Sequence, residues 1–244
     1  MTGWIPQQAR VAVVTASRAR LSPTAYGFTF RFSLSFRDIQ EMMLERGVEA
    51  SHEATRRWCL TFGAEYARRL RRQRGRSGDT WHLDEVFCKI NGRLVYLWRA
   101  VDQSGEVLDI LVQKRRDTKA ATRFFRKLLK GLRCVPRAIV TDKLASYTSA
   151  KKDVIPDVAH HRGRRLNNRA ENSHQPTRER ERAMRRFKSM RHAQRFLSVH
   201  ARVANHFRPG RHLMRASNYR SLMTGRFASW SEITGARNST ETSL

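Results

Sequence analysis

The chain has 244 residues, enough for one medium-sized domain and a small additional one, and its formal net charge is +28. A positive charge of this size indicates a polyanionic partner, first nucleic acid and second an anionic membrane surface. A basic surface that is merely solvated is the less favoured alternative. The early apolar run Val11–Val14 is much shorter than the roughly 20 residues of a membrane span. We therefore expect neither a membrane protein nor an exported one.

The three cysteines, Cys59, Cys88 and Cys134, are odd in number and widely separated. This spacing favours reduced thiols in a cytoplasmic protein over a disulfide framework or a zinc site.

The N-terminal third contains one recognisable motif. Residues 1–30 show no helical or strand period, so we expect an irregular segment. Within residues 31–70, Ser35 with Asp38 predicts a capped first helix, Gly47 its end and Ser51 the start of a second helix. Two helices joined by a glycine-containing turn have the outline of a helix-turn-helix, although any helical hairpin shares it. Arg56 and Arg57 on the second helix favour DNA contact.

A catalytic-type α/β pattern follows a basic linker at residues 71–79. Strand-like runs at 80–90 and 93–102 flank Asn91–Gly92, the dipeptide that best predicts a tight hairpin. A third strand is expected at 107–113, a helix capped by Asp117, and a short strand ending at Asp142. This order predicts a mixed sheet with flanking helices in a domain spanning residues 80–208.

The chain then becomes helical and strongly basic, with twelve Lys or Arg against three acids between residues 160 and 195. Pro176 must kink or restart this helix because it has no N–H group. We expect Arg178, Arg185 and Arg186 in this stretch to contact DNA phosphates. Residues 209–244 are expected to form a C-terminal tail.

Two aspartates stand out because each lies in or directly after an apolar strand, where a carboxylate needs a cation. A structural salt bridge would explain either Asp84 or Asp142 alone. Together with a third carboxylate on a helix, for which Glu171 is the natural candidate, they would supply oxygen ligands for two Mg²⁺ ions. Glu85 is expected to point to the opposite face of the strand.

Four segments carry a family resemblance: WHLDEVF, the stretch from LWRAVDQSGEV to FFRKLL, VTDKLASY, and LNNRAENSHQPTRERERAMRRFKS. They resemble transposases of bacterial insertion sequences, of the insertion-sequence-six type, and FSLSFRDIQEMMLERGVEASHEATRRW resembles their DNA-binding part. The resemblance covers residues 30–234.

This resemblance implies a ribonuclease-H-like catalytic domain whose acidic triad corresponds to Asp84, Asp142 and Glu171. It implies 3′-end cleavage and strand transfer with two Mg²⁺ ions, for which Mn²⁺ can substitute. The partners would be the terminal inverted repeats and target DNA, bound by a homodimer or a larger assembly. Arg178 would face DNA. The alternatives are a DNA-binding regulator or silent remnant, and a nuclease of the same fold that does not join strands.

The N-terminal region departs from the family pattern. Residues 1–29 do not resemble the helix that usually precedes FSLSFRD, and Thr55 stands where relatives tend to carry an aliphatic residue. We therefore expect weak binding to the element ends. In the catalytic half, Asn167 or Asn168 is expected to cap the Glu171 helix. The histidines at 160, 161 and 174 are expected at the surface or on phosphates.

Overall fold

The computed structural model describes residues 27, 29–32, 34–183, 187–208 and 214–235. Internal contacts divide the chain into two compact units, Met1–Arg72 with His206–Leu244, and Gln73–Asn205. The irregular segment expected at residues 1–30 lies almost wholly outside the described residues, although residues 29–31 are helical.

The elements are numbered in chain order. The helices are α1 (Phe36–Leu44), α2 (His52–Arg72), α3 (Thr118–Leu132), α4 (Ala145–Val154), α5 (Asn168–Ser173), α6 (Gln175–Ala183), α7 (Met190–Phe207) and α8 (Ala216–Thr234). The strands are β1 (Thr80–Ile90), β2 (Arg93–Asp102), β3 (Val107–Gln113), β4 (Ala138–Thr141) and β5 (Ala159–Arg162). A 3₁₀ turn at Arg164–Asn167 precedes α5.

The larger unit is built on a five-stranded mixed sheet of order β3-β2-β1-β4-β5. The pairs β1–β2 and β2–β3 are antiparallel, whereas β4 runs parallel to both β1 and β5. The expected hairpin turn is present, since Asn91 and Gly92 have φ angles of 51° and 74°. Asp117 caps α3 by accepting a hydrogen bond from the backbone N–H of Ala120.

Both faces of the sheet are covered because its strands carry apolar side chains on each side. On one face Trp81, Trp98 and Phe124 are fully buried in a core to which α3 and α4 contribute. On the other face Val95, Leu97 and further strand residues contact the apolar sides of α5 and α7. The larger unit is thus a mixed sheet with helices on both faces, as the order of elements predicts, and it agrees with the ribonuclease-H-like fold that the family resemblance implies.

The predicted motifs of the N-terminal unit are also present. Ser35 and Asp38 form a reciprocal capping box, with Ser35 N–H donating to Asp38 and Asp38 N–H to the Ser35 hydroxyl. Ser51 accepts a hydrogen bond from the backbone N–H of Ala54. Ile39 and Met43 are buried against the turn and the ring of Trp58. The two helices therefore share a small apolar core.

Part of the range predicted as a C-terminal tail, residues 214–235, is described and contains a helix. Helix α8 packs on α2, where the rings of Trp230 and Tyr66 meet edge to face at 5.7 Å and Arg69 donates to the carbonyl of Ile233. The pattern of α8 concealed this helix, because its apolar residues are scattered around the helix rather than gathered on one side.

The expectation of weak end binding rested on the atypical residues 1–29 and on Thr55. Helix α8 covers part of α2, and Thr55 donates its buried hydroxyl to the carbonyl of Ser51. The hydroxyl of Thr55 is therefore paired, whereas residues 1–29 lie almost wholly outside the described residues, so weak end binding stays a prediction.

No helix in the described ranges is both long and apolar enough to cross a membrane.

Candidate active site

The register of two neighbouring parallel strands brings Asp84 and Asp142 together. The last registered pair of β1 and β4 is His82 with Val140. Asp84 and Asp142 each follow that pair by two residues, so both carboxylates leave the strands at corresponding heights. Asp142 is also held locally, since its Oδ1 accepts the backbone N–H of Leu144 at 2.9 Å.

Glu171 reaches the same region because the turn before α5 is tied to β1. The side-chain amide of Asn167 donates to the carbonyl of Leu83 at 2.7 Å, directly before Asp84. This corrects the expected capping role, since Asn167 makes no side-chain cap bond and Asn168 is already the first residue of α5. Asn167 anchors the Glu171 helix to the strand instead.

A cleft of about 370 Å³ contains all three carboxylates of the sequence-predicted triad on its walls. Its other lining residues are Glu85, Val86, Asn167, Asn172, His174, Gln175 and Arg178. Within the described residues, no three His, Cys, Asp or Glu side chains are grouped closely enough to hold a metal ion as they stand. The fold therefore places the triad around one cleft without drawing it into a finished coordination sphere.

Asp84 has two buried neighbours, an imidazole and a guanidinium. Its Oδ2 lies 3.4 Å from Nε2 of His174, and Arg99 is its register partner on β2. Burial lowers the pKa of His174 to about 4, although Asp84 acts in the opposite direction. Burial also lowers the pKa of Arg99 to about 10. The expectation of a surface His174 is wrong, because only 2% of the residue is exposed. His160 is likewise half-buried, 2.9 Å from the hydroxyl of Thr141.

Asp142 has a different, more accessible partner. The Arg116 guanidinium lies 3.5 Å from Asp142 Oδ2 and 2.5 Å from Oε1 of Glu85. Glu85 is on the side of the strand that faces Tyr147, as the alternation predicts. Burial raises the pKa of Glu85 to about 7, with the Tyr147 hydroxyl and Arg116 opposing that shift. Arg116 thus bridges Glu85 on β1 and Asp142, which directly follows β4.

The predicted DNA-contacting arginines fall in three places. Arg178 lines the cleft with the triad and is exposed. Arg56 forms a two-pronged pair with Glu53 at 2.7 and 2.9 Å, and Arg57 lies 3.7 Å from the same carboxylate. Arg185 and Arg186 lie outside the described residues.

Sequence reasoning missed Arg99, Arg116 and the buried position of His174. A signal existed for Arg99, because it interrupts the apolar run LVYLWRAVD. The two-residue Asn91–Gly92 turn also fixes the register that sets Arg99 opposite Asp84. No comparable signal marked Arg116, which follows β3 in an ordinary basic loop.

Comparison with known proteins gives the family. A family model described as a DDE domain, of the IS240 transposase type, matches residues 78–210. The chain is 34% identical over 156 residues to the Staphylococcus aureus transposase for insertion sequence-like element IS431mec, covering 62% of this chain and 69% of that one. It is 33% identical over the same length to the Staphylococcus aureus transposase for insertion sequence element IS257 in transposon Tn4003, with the same coverage.

Solved structures show a more distant likeness. The HTLV-2 integrase catalytic core domain in complex with magnesium is 15% identical, with a TM-score of 0.38 over 59% of this chain and 95% of that chain. The catalytic core domain of BIV integrase is 13% identical, with a TM-score of 0.35 over 63% and 99% of the two chains. Because the DDE domain model matches more than half of the chain and the transposases match at 34% identity, this chain belongs to the DDE transposases of insertion-sequence-six-type elements, polynucleotidyl transferases that carry out DNA transposition.

Proposed function

We propose that Asp84, Asp142 and Glu171 are the catalytic, metal-binding residues of this transposase. The observation that carries the proposal is their common position on one cleft, although they are up to 87 residues apart in sequence. Asp84 and Asp142 come from neighbouring strands, and the Glu171 helix is tied to β1 through Asn167.

The donor set fits a divalent cation, and we propose two Mg²⁺ ions with Mn²⁺ as a substitute. Three carboxylates in one accessible cleft supply the hard oxygen ligands that Mg²⁺ prefers. Glu171 is exposed, so its side chain is free of the close packing that would hold it away from a metal. A bound metal pair would activate the attacking oxygen and stabilise the leaving one.

The proposed reaction has two steps at the same cleft. Water first breaks the phosphodiester at the element end and releases a 3′-hydroxyl, which then attacks a phosphodiester of the target DNA. Arg178 is placed to hold a DNA phosphate beside the triad, because it lines the same cleft and is exposed. Asp84 and Asp142, in and directly after two adjacent strands, would hold the metal ions and so would set the position of the reacting phosphate.

We further propose that the helix-turn-helix in residues 31–70 binds the terminal inverted repeats, while residues 80–208 act on them and on target DNA. Joining two ends requires at least a homodimer in this scheme, and the cytoplasm is the expected compartment. A regulator or silent remnant would bind DNA without cleaving it, and a nuclease would cleave without joining.

One assay separates these possibilities: paired element ends, Mg²⁺ and a target plasmid are incubated with the full chain, and the DNA products are resolved on a gel. Joined products support a transposase, nicked ends alone indicate a nuclease, and unchanged DNA indicates a regulator.

In that assay, we expect Asp84→Asn, Asp142→Asn and Glu171→Gln each to abolish strand transfer. Each change removes a charged ligand while the arginines that supply DNA affinity remain. Non-specific duplex binding, measured by fluorescence anisotropy, should stay near the wild-type value. Joining close to the wild-type rate by any of the three variants would remove that residue from the proposed triad.

A further inference from the structure

Arg99 is a buried cation that connects the strand of Asp84 with the two helices after it that carry Glu171 and Arg178. Only 3% of the residue is exposed, and it lies on β2 opposite Asp84 in the β1–β2 ladder. One terminal nitrogen donates to the carbonyl of Ser173, and the other donates to the hydroxyl of Thr177. Because burying a guanidinium is costly unless its donors are matched, the bonds to both terminal nitrogens tie the position of Arg99 to Ser173 and Thr177.

The two acceptors belong to the junction between α5 and α6. Ser173 ends α5 two residues after Glu171, and Thr177 directly precedes Arg178. His174 lies between them, 3.4 Å from Asp84. Two exposed residues beside this junction line the cleft: Glu171, a proposed metal ligand, and Arg178, the proposed phosphate contact. Ser173 and Thr177 in the junction itself bond the buried Arg99.

Apolar packing does little to fix this junction. Helix α5 has six residues, of which Ala170 is the buried one. Helix α6 reads QPTRERERA and offers almost no apolar surface. Because helices this short are not stable alone, their position depends on side-chain bonds to the sheet. The Arg99 bonds to Ser173 and Thr177 are such bonds.

We propose that Arg99 is a positioning residue: through Ser173 and Thr177 it fixes the α5–α6 junction, so that Glu171 stands beside Asp84 and completes the cation site. This inference rests on the proposed function of the triad. It assigns Arg99 no contact with metal or DNA. It also explains why the arginine is a fork-shaped donor, since lysine cannot reach two separate acceptors in fixed directions.

A test must separate the positioning role of Arg99 from its charge, because losing the side chain affects cation binding in two opposite ways. Removing its positive charge would favour a cation at Asp84, whereas freeing the junction would weaken the third ligand. Thr177→Val and Thr177→Ser avoid this problem. The valine keeps the shape and removes the acceptor, while the serine keeps the hydroxyl and removes only the methyl group.

The experiment is a Mn²⁺ titration of the full chain followed by electron paramagnetic resonance, without DNA, together with a thermal melt of each variant. We expect Thr177→Val to weaken Mn²⁺ binding by about 10-fold, the scale of a lost support for a metal ligand, and Thr177→Ser to stay close to wild type. Arg99→Lys, which keeps the charge, should weaken binding as Thr177→Val does.

The matched control is Gln194→Leu. Gln194 ties α7 to β3 by bonding both the carbonyl of Ile110 and the N–H of Val112, away from the cleft. The Gln194→Leu variant should have a lower melting temperature and an unchanged Mn²⁺ affinity.

Equal Mn²⁺ affinity for Thr177→Val and Thr177→Ser would overturn the positioning role, provided that Glu171→Gln binds Mn²⁺ poorly. Wild-type affinity in Glu171→Gln and Asp84→Asn would instead overturn the proposed triad.

Discussion

At the scale of single residues, the two aspartates of the candidate site have unlike surroundings. Asp84 lies opposite the buried cation Arg99 on β2 and 3.4 Å from His174, which burial keeps neutral near pH 7. Asp142 lies by Arg116, whose side chain is 42% exposed and can be screened by water. The same chemical change at the two positions therefore has different consequences for folding, because a charge left unpaired in the interior costs more than one at the surface.

We expect Asp84→Asn to lower the free energy of unfolding by about 1–3 kcal/mol, because the buried Arg99 loses the carboxylate that favours its charged form. Asp142→Asn should cost clearly less, since Arg116 keeps Glu85 as a partner. Urea unfolding of both variants without divalent metal measures the difference. Equal stability of the two variants would mean that Arg99 does not depend on Asp84 for its burial.

At the scale of elements, the small N-terminal unit depends on a helix from the far end of the chain. Trp230 of α8 contacts Tyr66 of α2 at 5.7 Å and Phe207 of α7 at 5.3 Å. A helix-turn-helix can place its second helix in a DNA groove only if its neighbours hold it at a fixed angle. Sequence-specific binding by residues 31–70 should therefore depend on α8.

We expect Trp230→Ala to destabilise the N-terminal unit by about 3 kcal/mol, the scale for removing a buried aromatic side chain. Protection of the element ends in footprinting should weaken with it, while Mn²⁺ binding at the cleft should persist. Phe227→Ala is the control, because Phe227 lies on the same helix and is 45% exposed. Unchanged end protection in Trp230→Ala would show that α8 does not support DNA reading.

At the scale of the whole molecule, the positive net charge is the main expected source of DNA affinity. The net charge of +28 is spread over most elements, so a large part of DNA affinity should come from phosphate contacts and released counterions. Recognition of a particular DNA sequence would then depend on few side chains. In the described part of α2, Arg56 and Arg57 both lie near Glu53, which holds them on one side of the helix.

Non-specific DNA binding should weaken steeply with salt, and replacing Arg178, Arg185 and Arg186 together by glutamine should lower the slope of log affinity against log salt by about 2 to 3. Anisotropy titrations between low and physiological salt measure it.

The control for this slope is a change of equal charge on α3. Lys119, Arg126 and Lys130 are exposed there, on the side of the sheet away from α6. Their joint replacement should alter the slope less. A larger effect from α3 would place the DNA path on that side of the sheet.

Much of the fold could be predicted from the sequence, because turns and helix ends depend on residues that are close together in the chain. The Asn91–Gly92 hairpin, the Asp117 cap, the Ser35–Asp38 capping box and the break at Pro176 are each short-range events and are confirmed. The order of the elements predicted the mixed sheet, but it did not predict β5 or the place of β4 beside β1. Helix α8 was missed because an apolar pattern spread around a helix does not identify the face it buries.

By itself, the sequence determined the charge of the protein, its mixed sheet and the three carboxylates of the candidate site, because each depends on residue type or short spacing. Only the tertiary structure decided what surrounds those carboxylates. Arg116 meets Glu85 across 31 positions, Asn167 meets Leu83 across 84, and Arg99 meets Thr177 across 78. Such contacts depend on how the helices pack against the sheet. No local sequence pattern encodes the position of each helix, since that position follows from the packing of the whole core.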